Sequence, residues 1–341
     1  MLNQVYRLVS PRQFESITVN EELNADTIIV RPLYLSICHA DQRYFTGRRD
    51  KQDLAEKLPM ALIHEGIGEV IFDSLNEFKK GQIVVMVPNT PHEKNEIVHE
   101  NYLKNSQFRS SGYDGYMQEY VFLRRDRAVI LPQDFDLEMS AFIELISVAY
   151  HTINRMEEKM NNDQEIFGVW GDGNLGYITS LILSFKYPES KIYVFGKHEE
   201  KLDYFSFVDK VFLINQIPEN LTISPAFECT GGMGSQTAIN QIIDYIRPEG
   251  TIALMGVSES LIEINTRMVL ERGLTMIGSS RSGVEDFQQT VDFLEKHQGA
   301  RNRLKNLIGS VKTIHTIQDI IDCFDEDLTT NWGKTVMKWE I

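Results

Sequence analysis

The chain has 341 residues, of which 42% are hydrophobic and 24% are charged, and its formal net charge is −15. A chain of this length can bury a sizeable core and exceeds one typical domain, so two domains are expected. The acidic balance excludes a general nucleic-acid-binding protein, because such proteins present a broad basic face to phosphate backbones.

Neither a secretion signal nor a membrane span is expected. Residues 1–11 have Arg7 and polar residues between their apolar positions, and no later apolar run is long enough to cross a bilayer. An odd number of widely spaced cysteines favours a reducing cytoplasm, with thiols available to a metal rather than to disulfides. These cysteines are Cys38, Cys229 and Cys323.

Short β-rich runs separated by turn residues fill the first third of the chain. Strands are predicted at residues 27–30, 68–72 and 82–87. The polar stretch 88–111 is predicted to be a long loop region. This part of the chain therefore predicts a β-rich domain.

The second third alternates strand-like and helix-like runs, which is the βαβ pattern of a parallel sheet covered by helices. Strands are predicted at 166–170, 191–195, 225–228, 250–257 and 275–278, and helices at 175–187, 199–207 and 234–246. The tail breaks this rhythm. We predict an α/β protein with a doubly wound nucleotide domain at 144–280, inserted between two parts of another domain at 1–143 and 281–341.

A glycine motif follows the first strand of this second third. Gly171, Gly173 and Gly176 form G-x-G-x-x-G, with Asn174 and Leu175 between the last two glycines. In a dinucleotide site the first glycine permits a tight turn, the second lets the pyrophosphate approach the backbone, and the third lets the helix pack on the strand. Because strand, motif, helix and second strand occur in the required order, we predict a nucleotide site at the positive end of the helix beginning near Asn174.

The end of the next strand bears on the choice of cofactor. An NAD-preferring site usually places a carboxylate there for the ribose 2′-hydroxyl, but this chain has Gly196, Lys197 and His198, with Lys201 close behind. These cationic side chains would neutralise a 2′-phosphate, which favours NADPH. The alternative is that Lys197 and Lys201 only solvate the start of a helix.

Four residues are candidates for a metal site. His64 and Glu65 are adjacent between an apolar run and a Gly-rich turn, Cys38 lies upstream, and Glu144 stands among apolar residues, where a charge needs a partner. A thiolate, an imidazole and a carboxylate suit zinc, and a catalytic zinc has three protein ligands and one open position. The alternative is ordinary packing, since there is no C-x-x-C pair.

These stretches together resemble the zinc-containing medium-chain dehydrogenase/reductase superfamily over essentially the whole chain. Their order is Cys-x-x-Asp, His-Glu, a buried Glu, G-x-G-x-x-G and a C-terminal Gly-Lys-Thr-Val. Within the superfamily the chain is most similar to the ribulose-5-phosphate reductases (TarJ type) of bacterial teichoic acid synthesis. The segments that carry this similarity are 31–34, 108–112, 170–177 and 278–283.

The resemblance implies a GroES-like catalytic domain beside a Rossmann domain, and zinc held by Cys38, His64 and Glu144. Glu65 would be an outer carboxylate or would exchange into the coordination sphere, and Asp41 would orient His64. It further implies reduction of ribulose 5-phosphate to ribitol 5-phosphate with NADPH. A cytidylyltransferase would then convert the product to CDP-ribitol, and relatives of this kind commonly form homodimers.

The sequence departs from the superfamily in two ways. The hydroxyl residue that often follows the cysteine by two positions is Ala40 here, so the proton would come from zinc-bound water, Glu65 or Tyr44. The segment 88–115 contains no cysteine, so the four-cysteine structural zinc lobe of many relatives is not expected. We therefore predict one zinc per subunit.

An acidic protein that takes a sugar phosphate needs a local cationic clamp, although each candidate could instead be an ordinary surface charge. The candidates are Arg43, Arg48, Arg49, Arg109, Arg281 and Lys334. Two other functions stay open at this point. One is an NAD-linked zinc polyol or amino-alcohol dehydrogenase, and the other is a non-catalytic nucleotide-binding protein on the same fold.

Overall fold

The computed structural model describes residues 1–160 and 165–341. It divides into two compact units, which we call unit 1 and unit 2. Unit 1 comprises Met1–Leu145 with Ser282–Ile341, and unit 2 comprises Ile146–Arg281.

The described residues form strands and helices in alternating groups. The strands are β1 Leu2–Ser10, β2 Gln13–Asn20, β3 Thr27–Ser36, β4 Met60–Ala61, β5 Glu65–Asp73, β6 Ile83–Met86, β7 Asn89–Pro91, β8 Ser106–Phe108, β9 Val121–Arg124, β10 Ala128–Ile130, β11 Ile166–Trp170, β12 Lys191–Gly196, β13 Lys210–Leu213, β14 Ala226–Glu228, β15 Thr251–Leu254, β16 Thr275–Gly278, β17 Ile308–Ile314 and β18 Lys334–Trp339. The α-helices are α1 His39–Phe45, α2 Lys51–Lys57, α3 Leu137–Ser140, α4 Ile143–Glu157, α5 Asn174–Lys186, α6 Glu199–Leu202, α7 Gly234–Tyr245, α8 Thr266–Glu271, α9 Val284–Lys296, α10 Gln298–Leu304 and α11 Ile317–Asp327.

Unit 1 is built on a mixed seven-stranded sheet with the path β10-β6-β5-β3-β18-β17, to which β9 adds by pairing with β3. The chain returns to this sheet after unit 2, because β18 pairs antiparallel with β3 and parallel with β17. A three-stranded sheet β2-β1-β4 and a small β7-β8 hairpin complete the β structure of this unit. The β-rich character predicted for this domain is confirmed.

Three stacked aromatic rings fix α1 in the core of unit 1. Phe45 of α1 lies 6.1 Å from Phe14 of β2 and 4.7 Å from Phe324 of α11, measured between ring centroids. All three side chains are buried, and aromatic burial of this kind contributes strongly to core stability. The residues immediately before and within α1 therefore have a rigid support.

Unit 2 is a parallel six-stranded sheet with the order β13-β12-β11-β14-β15-β16. Relative to the first strand of the unit, this is the order 3-2-1-4-5-6 of a dinucleotide-binding Rossmann fold. The doubly wound sheet predicted from the alternation of strands and helices is confirmed.

Several predicted bounds are corrected. The helix predicted at 199–207 is α6, which ends at Leu202, because Phe205 and Phe207 instead pack their edges against Tyr177, with centroids 5.3 and 5.0 Å away. The predicted loop 88–111 contains the hairpin β7-β8 and a short 3-10 helix at Glu100–Tyr102. Among the described residues, no helix combines the length and the apolar character that crossing a membrane requires.

Candidate metal and nucleotide sites

Neighbouring strands of unit 1 bring three distant parts of the chain together. Ser36, at the end of β3, pairs with Glu65 at the start of β5 and with Val336 of β18. Cys38 follows β3 directly and caps α1, while His64 immediately precedes β5. The register of this sheet thus places residues 38, 64 and 65 at one location.

Cys38, His64 and Glu65 form a cluster that could hold a metal ion. One ligand atom from each lies within 4.8 Å of the others, and His64 and Glu65 are buried. The Nδ1 atom of His64 faces Asp41, 3.7 Å from its Oδ1, so Nε2 is the nitrogen available to a metal. A thiol, an imidazole and a carboxylate converging in this way fit the ligand preferences of zinc.

Asp41 lies beside this cluster and is held by hydrogen bonds from three residues. Its Oδ1 accepts hydrogen bonds from the Ile63 amide at 3.0 Å and the Ser110 hydroxyl at 2.7 Å, and its Oδ2 accepts one from the Cys38 amide at 3.2 Å. Burial raises the pKa of Asp41, but the charge of His64 and these hydrogen bonds outweigh it, so the net pKa is lowered. Asp41 is therefore an ionised carboxylate aimed at His64, as a group that orients a metal ligand requires.

The contact between Asp41 and His64 also shifts the pKa of His64. Burial lowers the pKa of this imidazole, but the Asp41 carboxylate together with Cys38 outweighs burial and holds the pKa well above 6.5. The backbone before it is also unusual, because Ile63 has a φ of 70°, a conformation that is costly for a β-branched residue. Strain of this kind persists only where the surroundings enforce it; here the Ile63 amide donates to Asp41 and its carbonyl accepts from the Tyr116 amide at 2.8 Å. Sequence reasoning missed both Ile63 and Ser110.

Glu144, the other proposed metal ligand, is the second residue of α4 and is buried. Among the described residues, the cluster whose ligand atoms lie within 4.8 Å of one another does not include it. Burial raises the pKa of Glu144 to about 7, since the charge of His64, which lowers it, does not outweigh burial and the Glu65 carboxylate. Glu144 thus lies within electrostatic reach of the cluster, where a divalent cation would favour its ionised form.

Lys334 lies at the metal cluster. Its Nζ is 2.9 Å from both carboxylate oxygens of Glu65, and both side chains are buried. Burial lowers the pKa of Lys334, but Glu65 and Cys38 outweigh this and raise it, so the ammonium stays charged. The charge of Lys334 is thus balanced by Glu65, and the anchoring role predicted for this lysine stays a prediction.

Arg109 is also engaged within the protein. Its guanidinium donates to the backbone carbonyls of Asp114 at 3.1 Å and Phe122 at 2.6 Å, and it lies 5.8 Å from the centroid of the Tyr116 ring. Burial lowers its pKa. These contacts describe a residue that braces neighbouring backbone, and the substrate role predicted for it stays a prediction.

The remaining predicted residues of the catalytic and substrate sites are spread over both units. Tyr44 is buried in α1, and within the described chain its hydroxyl has no hydrogen-bond partner, while the Arg49 guanidinium lies 4.7 Å from the centroid of its ring. Arg43 lies in the last turn of α1 and is half-buried. Arg281 belongs to unit 2 and adopts a φ of 60°.

The glycine motif of unit 2 joins β11 to α5 as predicted. Gly171 has a φ of 137°, which suits glycine, and α5 begins at Asn174 with Gly173 as its N-cap. A Cβ on Gly173 would meet nothing within 4 Å, whereas one on Gly176 would lie 2.0 Å from the Gly171 carbonyl oxygen. The backbone of the second glycine is thus open to a pyrophosphate and the third packs the helix on the turn, so the loop fits a dinucleotide.

The end of β12 shows a contact that the sequence did not reveal. The Oδ2 atom of Asp172, which lies inside the glycine motif, accepts hydrogen bonds from the amides of Lys197 at 2.7 Å and His198 at 2.8 Å. The Nδ1 atom of His198 lies 3.0 Å from the same oxygen. Lys197 and His198 are exposed, Lys201 is half-buried, and no ion pair engages either lysine within residues 1–160 and 165–341.

Comparison with known proteins gives family matches along both units. The family described as "Alcohol dehydrogenase GroES-like domain" matches residues 24–133, and the family described as "Zinc-binding dehydrogenase" matches residues 191–296. Ribulose-5-phosphate reductase 1 of Staphylococcus aureus (strain NCTC 8325 / PS 47) is 60% identical over 99% of both chains. The ribulose-5-phosphate reductase of Bacillus spizizenii is 54% identical over the full length of both. Among solved structures, Staphylococcus aureus TarJ in complex with NADPH superposes with a TM-score of 0.90 at 55% identity, covering all of both chains.

Proposed function

Because the chain belongs to the ribulose-5-phosphate reductases of the zinc-binding dehydrogenase family, we propose that it reduces D-ribulose 5-phosphate to D-ribitol 5-phosphate with NADPH. The observation that carries the proposal is the buried cluster of Cys38, His64 and Glu65 in a member of this family. A zinc alcohol dehydrogenase chemistry needs this kind of donor set and a dinucleotide fold, and the chain has both.

Bound zinc supplies a Lewis acid that stabilises negative charge on the substrate carbonyl oxygen, and bound NADPH supplies the hydride. In this proposal Cys38, His64 and Glu144 hold the metal, and Asp41 fixes the orientation of His64 through Nδ1. The ammonium of Lys334 holds the Glu65 carboxylate beside Cys38 and His64. The proton for the product oxygen is assigned to the buried hydroxyl of Tyr44, because Glu65, as a carboxylate paired with Lys334, has no proton to donate.

The cofactor is bound by unit 2 in this proposal. The open backbone at Gly173 and the amino end of α5 receive the pyrophosphate, because unpaired amides and the helix dipole favour negative charge there. Lys197, His198 and Lys201 neutralise the 2′-phosphate of NADPH. For the substrate phosphate we retain Arg43 of α1 as the proposed cation.

A panel of substrates and cofactors tests this function. We expect kcat/KM with NADPH and ribulose 5-phosphate to be at least about tenfold higher than with NADH in place of NADPH. We expect a similar difference when unphosphorylated ribulose replaces ribulose 5-phosphate, because each lost phosphate removes charge-assisted hydrogen bonds. The measurement is the decrease in absorbance of the reduced nicotinamide, with and without a chelator. Equal rates with ribulose and ribulose 5-phosphate would contradict the sugar-phosphate assignment, and preference for NADH would favour an NAD-linked polyol dehydrogenase.

Elemental analysis separates the enzyme from a non-catalytic nucleotide-binding protein of the same fold. A non-catalytic protein has no use for a thiol, an imidazole and a carboxylate converging within 4.8 Å. We propose one zinc per subunit, since the cluster at residues 38, 64 and 65 is the single group of this kind among the described residues. A folded protein that binds NADPH but holds no metal would favour the non-catalytic alternative.

A homodimer built on the edge of the unit 2 sheet is part of the proposal. Strand β16 ends the sheet, the preceding helix α8 has no buried residue, and Leu270 of α8 and the nearby Leu261 are 80% and 101% exposed. An exposed edge strand beside exposed apolar side chains favours pairing with a second chain.

Light scattering tests the dimer. We expect a mass of twice the 39.3 kDa chain, and a shift toward the monomer for Leu270→Glu at micromolar concentration, because two carboxylates would then meet across a symmetric interface. Leu2→Glu is the control, since Leu2 is 69% exposed but lies in unit 1. A monomeric wild type, or a Leu270→Glu variant that remains dimeric, would contradict this arrangement.

We place the enzyme in the cytoplasm and its product upstream of a cytidylyltransferase, which would form CDP-ribitol for teichoic acid synthesis. Ribitol 5-phosphate has no carbonyl group left to reduce, and its phosphate can serve as the acceptor for cytidylyl transfer. Support for this placement comes from the family to which the chain belongs.

A further inference from the structure

The carboxylate of Asp172 connects the glycine motif to the residues that would meet a 2′-phosphate. Its Oδ2 accepts from the Lys197 and His198 amides at 2.7 and 2.8 Å and lies 3.0 Å from His198 Nδ1. The side chain of Asp172 is 15% exposed, and that of His198 is 47% exposed. One carboxylate oxygen thus fixes the backbone of two consecutive residues and the ring of the second.

Asp172 also occupies the space at the end of β12. A Cβ built on Gly196 would lie 2.7 Å from the Asp172 Cβ, and 2.9 Å from both its Oδ2 and the Leu202 Cδ2. An NAD-preferring site presents a strand-end carboxylate to the ribose hydroxyls. Here the strand has glycine at its end, and a carboxylate from the preceding loop fills the adjacent space with its oxygen turned toward the protein amides.

We propose that Asp172 is a positioning residue for cofactor specificity, which holds Lys197 and His198 where a 2′-phosphate would be bound and leaves no room for a side chain at position 196. The inference rests on the proposed function, because it assumes that the cofactor is NADPH. The two amides and the imidazole at the strand end all contact one oxygen of Asp172, so we expect its role to depend on hydrogen-bond acceptance rather than on charge. An amide in its place can accept the same backbone hydrogen bonds, whereas a methyl group cannot.

Calorimetric titration of the full chain with NADPH and with NADH tests this inference, since the two ligands differ only in the 2′-phosphate. For Asp172→Ala we expect NADPH affinity to fall about tenfold and NADH affinity to change less than about twofold. Asp172→Asn should keep both affinities within about twofold of wild type. The matched control is Asp209→Ala, which removes a carboxylate that accepts from the Ile192 amide at 2.8 Å near the start of β12, and should leave the preference for NADPH unchanged.

A second variant, Gly196→Ala, disturbs the same contact without removing the carboxylate, because its methyl group would displace Asp172. It should reduce the preference for NADPH as Asp172→Ala does, and circular dichroism should show that each variant is folded. An Asp172→Ala protein that keeps the wild-type preference would overturn the inference. So would an Asp172→Asn protein that loses the preference. A wild type that binds NADH as tightly as NADPH would instead show that the proposed cofactor is wrong.

Discussion

Cys38→Ser is expected to reduce the zinc content of the purified chain to less than about a tenth of its wild-type value and to lower turnover by about 1000-fold. A hydroxyl at this position is a far weaker zinc ligand than a thiolate. Loss of Lewis-acid stabilisation worth several kcal/mol corresponds to about this factor in rate. The measurements are metal content by mass spectrometry and kcat with NADPH and ribulose 5-phosphate.

Cys323→Ser provides the matched control. Cys323 is the other thiol of unit 1 and is buried in α11, and burial together with Asp327 and Glu326 raises its pKa to about 12. A thiol that stays protonated is not a metal ligand, so this variant should keep its zinc. Wild-type zinc content and turnover in Cys38→Ser would show that the metal site is misassigned, and zinc loss in both variants would point to unfolding instead.

The nucleotide site was predictable because its residues are contiguous. Strand β11, the glycine motif and α5 follow one another within about twenty residues. Each glycine there is required by a local feature, either the tight turn or the close packing of the helix on that turn. The metal cluster is different. Residues 38, 64 and 65 meet only through the pairing of β3 with β5, which spacing alone does not specify, so the resemblance to a family was needed to connect them.

The unpredicted features depend on contacts that no local pattern records. Asp172 occupies a position that the glycine motif leaves undefined, and its role appears only when β12 lies beside the loop. The left-handed backbone of Ile63 is contrary to the preference of a β-branched residue and exists because Asp41 and Tyr116 fix its two sides. For Lys334 the sequence showed a cation, but its partner Glu65 is 269 residues away in the chain.

The pair formed by Lys334 and Glu65 leads to a second large expected effect, on stability. In zinc-free protein, Lys334→Met should lower the free energy of unfolding by about 3–5 kcal/mol, because it leaves the buried Glu65 carboxylate without its opposite charge. Both side chains are almost fully buried, at 4% and 0% exposure, so water cannot compensate. Urea unfolding followed by circular dichroism measures the change.

Lys338→Met is the control on the same strand. Lys338 pairs with Glu340 at 2.5 Å, but these side chains are 45% and 39% exposed, and an exposed pair contributes little. We expect no measurable loss of stability from this variant. A similar loss in both variants would show that strand β18 is sensitive to any loss of a lysine, whatever its partner.

Two further measurements identify the charge of Glu65 as the cause. Lys334→Met with Glu65→Gln should be more stable than Lys334→Met alone, since the double variant has no unpaired charge to bury. Saturating zinc should reduce the loss in Lys334→Met, because a divalent cation bound by Cys38 and His64 lies next to Glu65 and supplies the opposite charge that the lysine no longer provides. If zinc leaves the loss unchanged while it binds normally, Glu65 does not share its charge with the metal. The expectation that zinc offsets the loss of Lys334 would then be wrong.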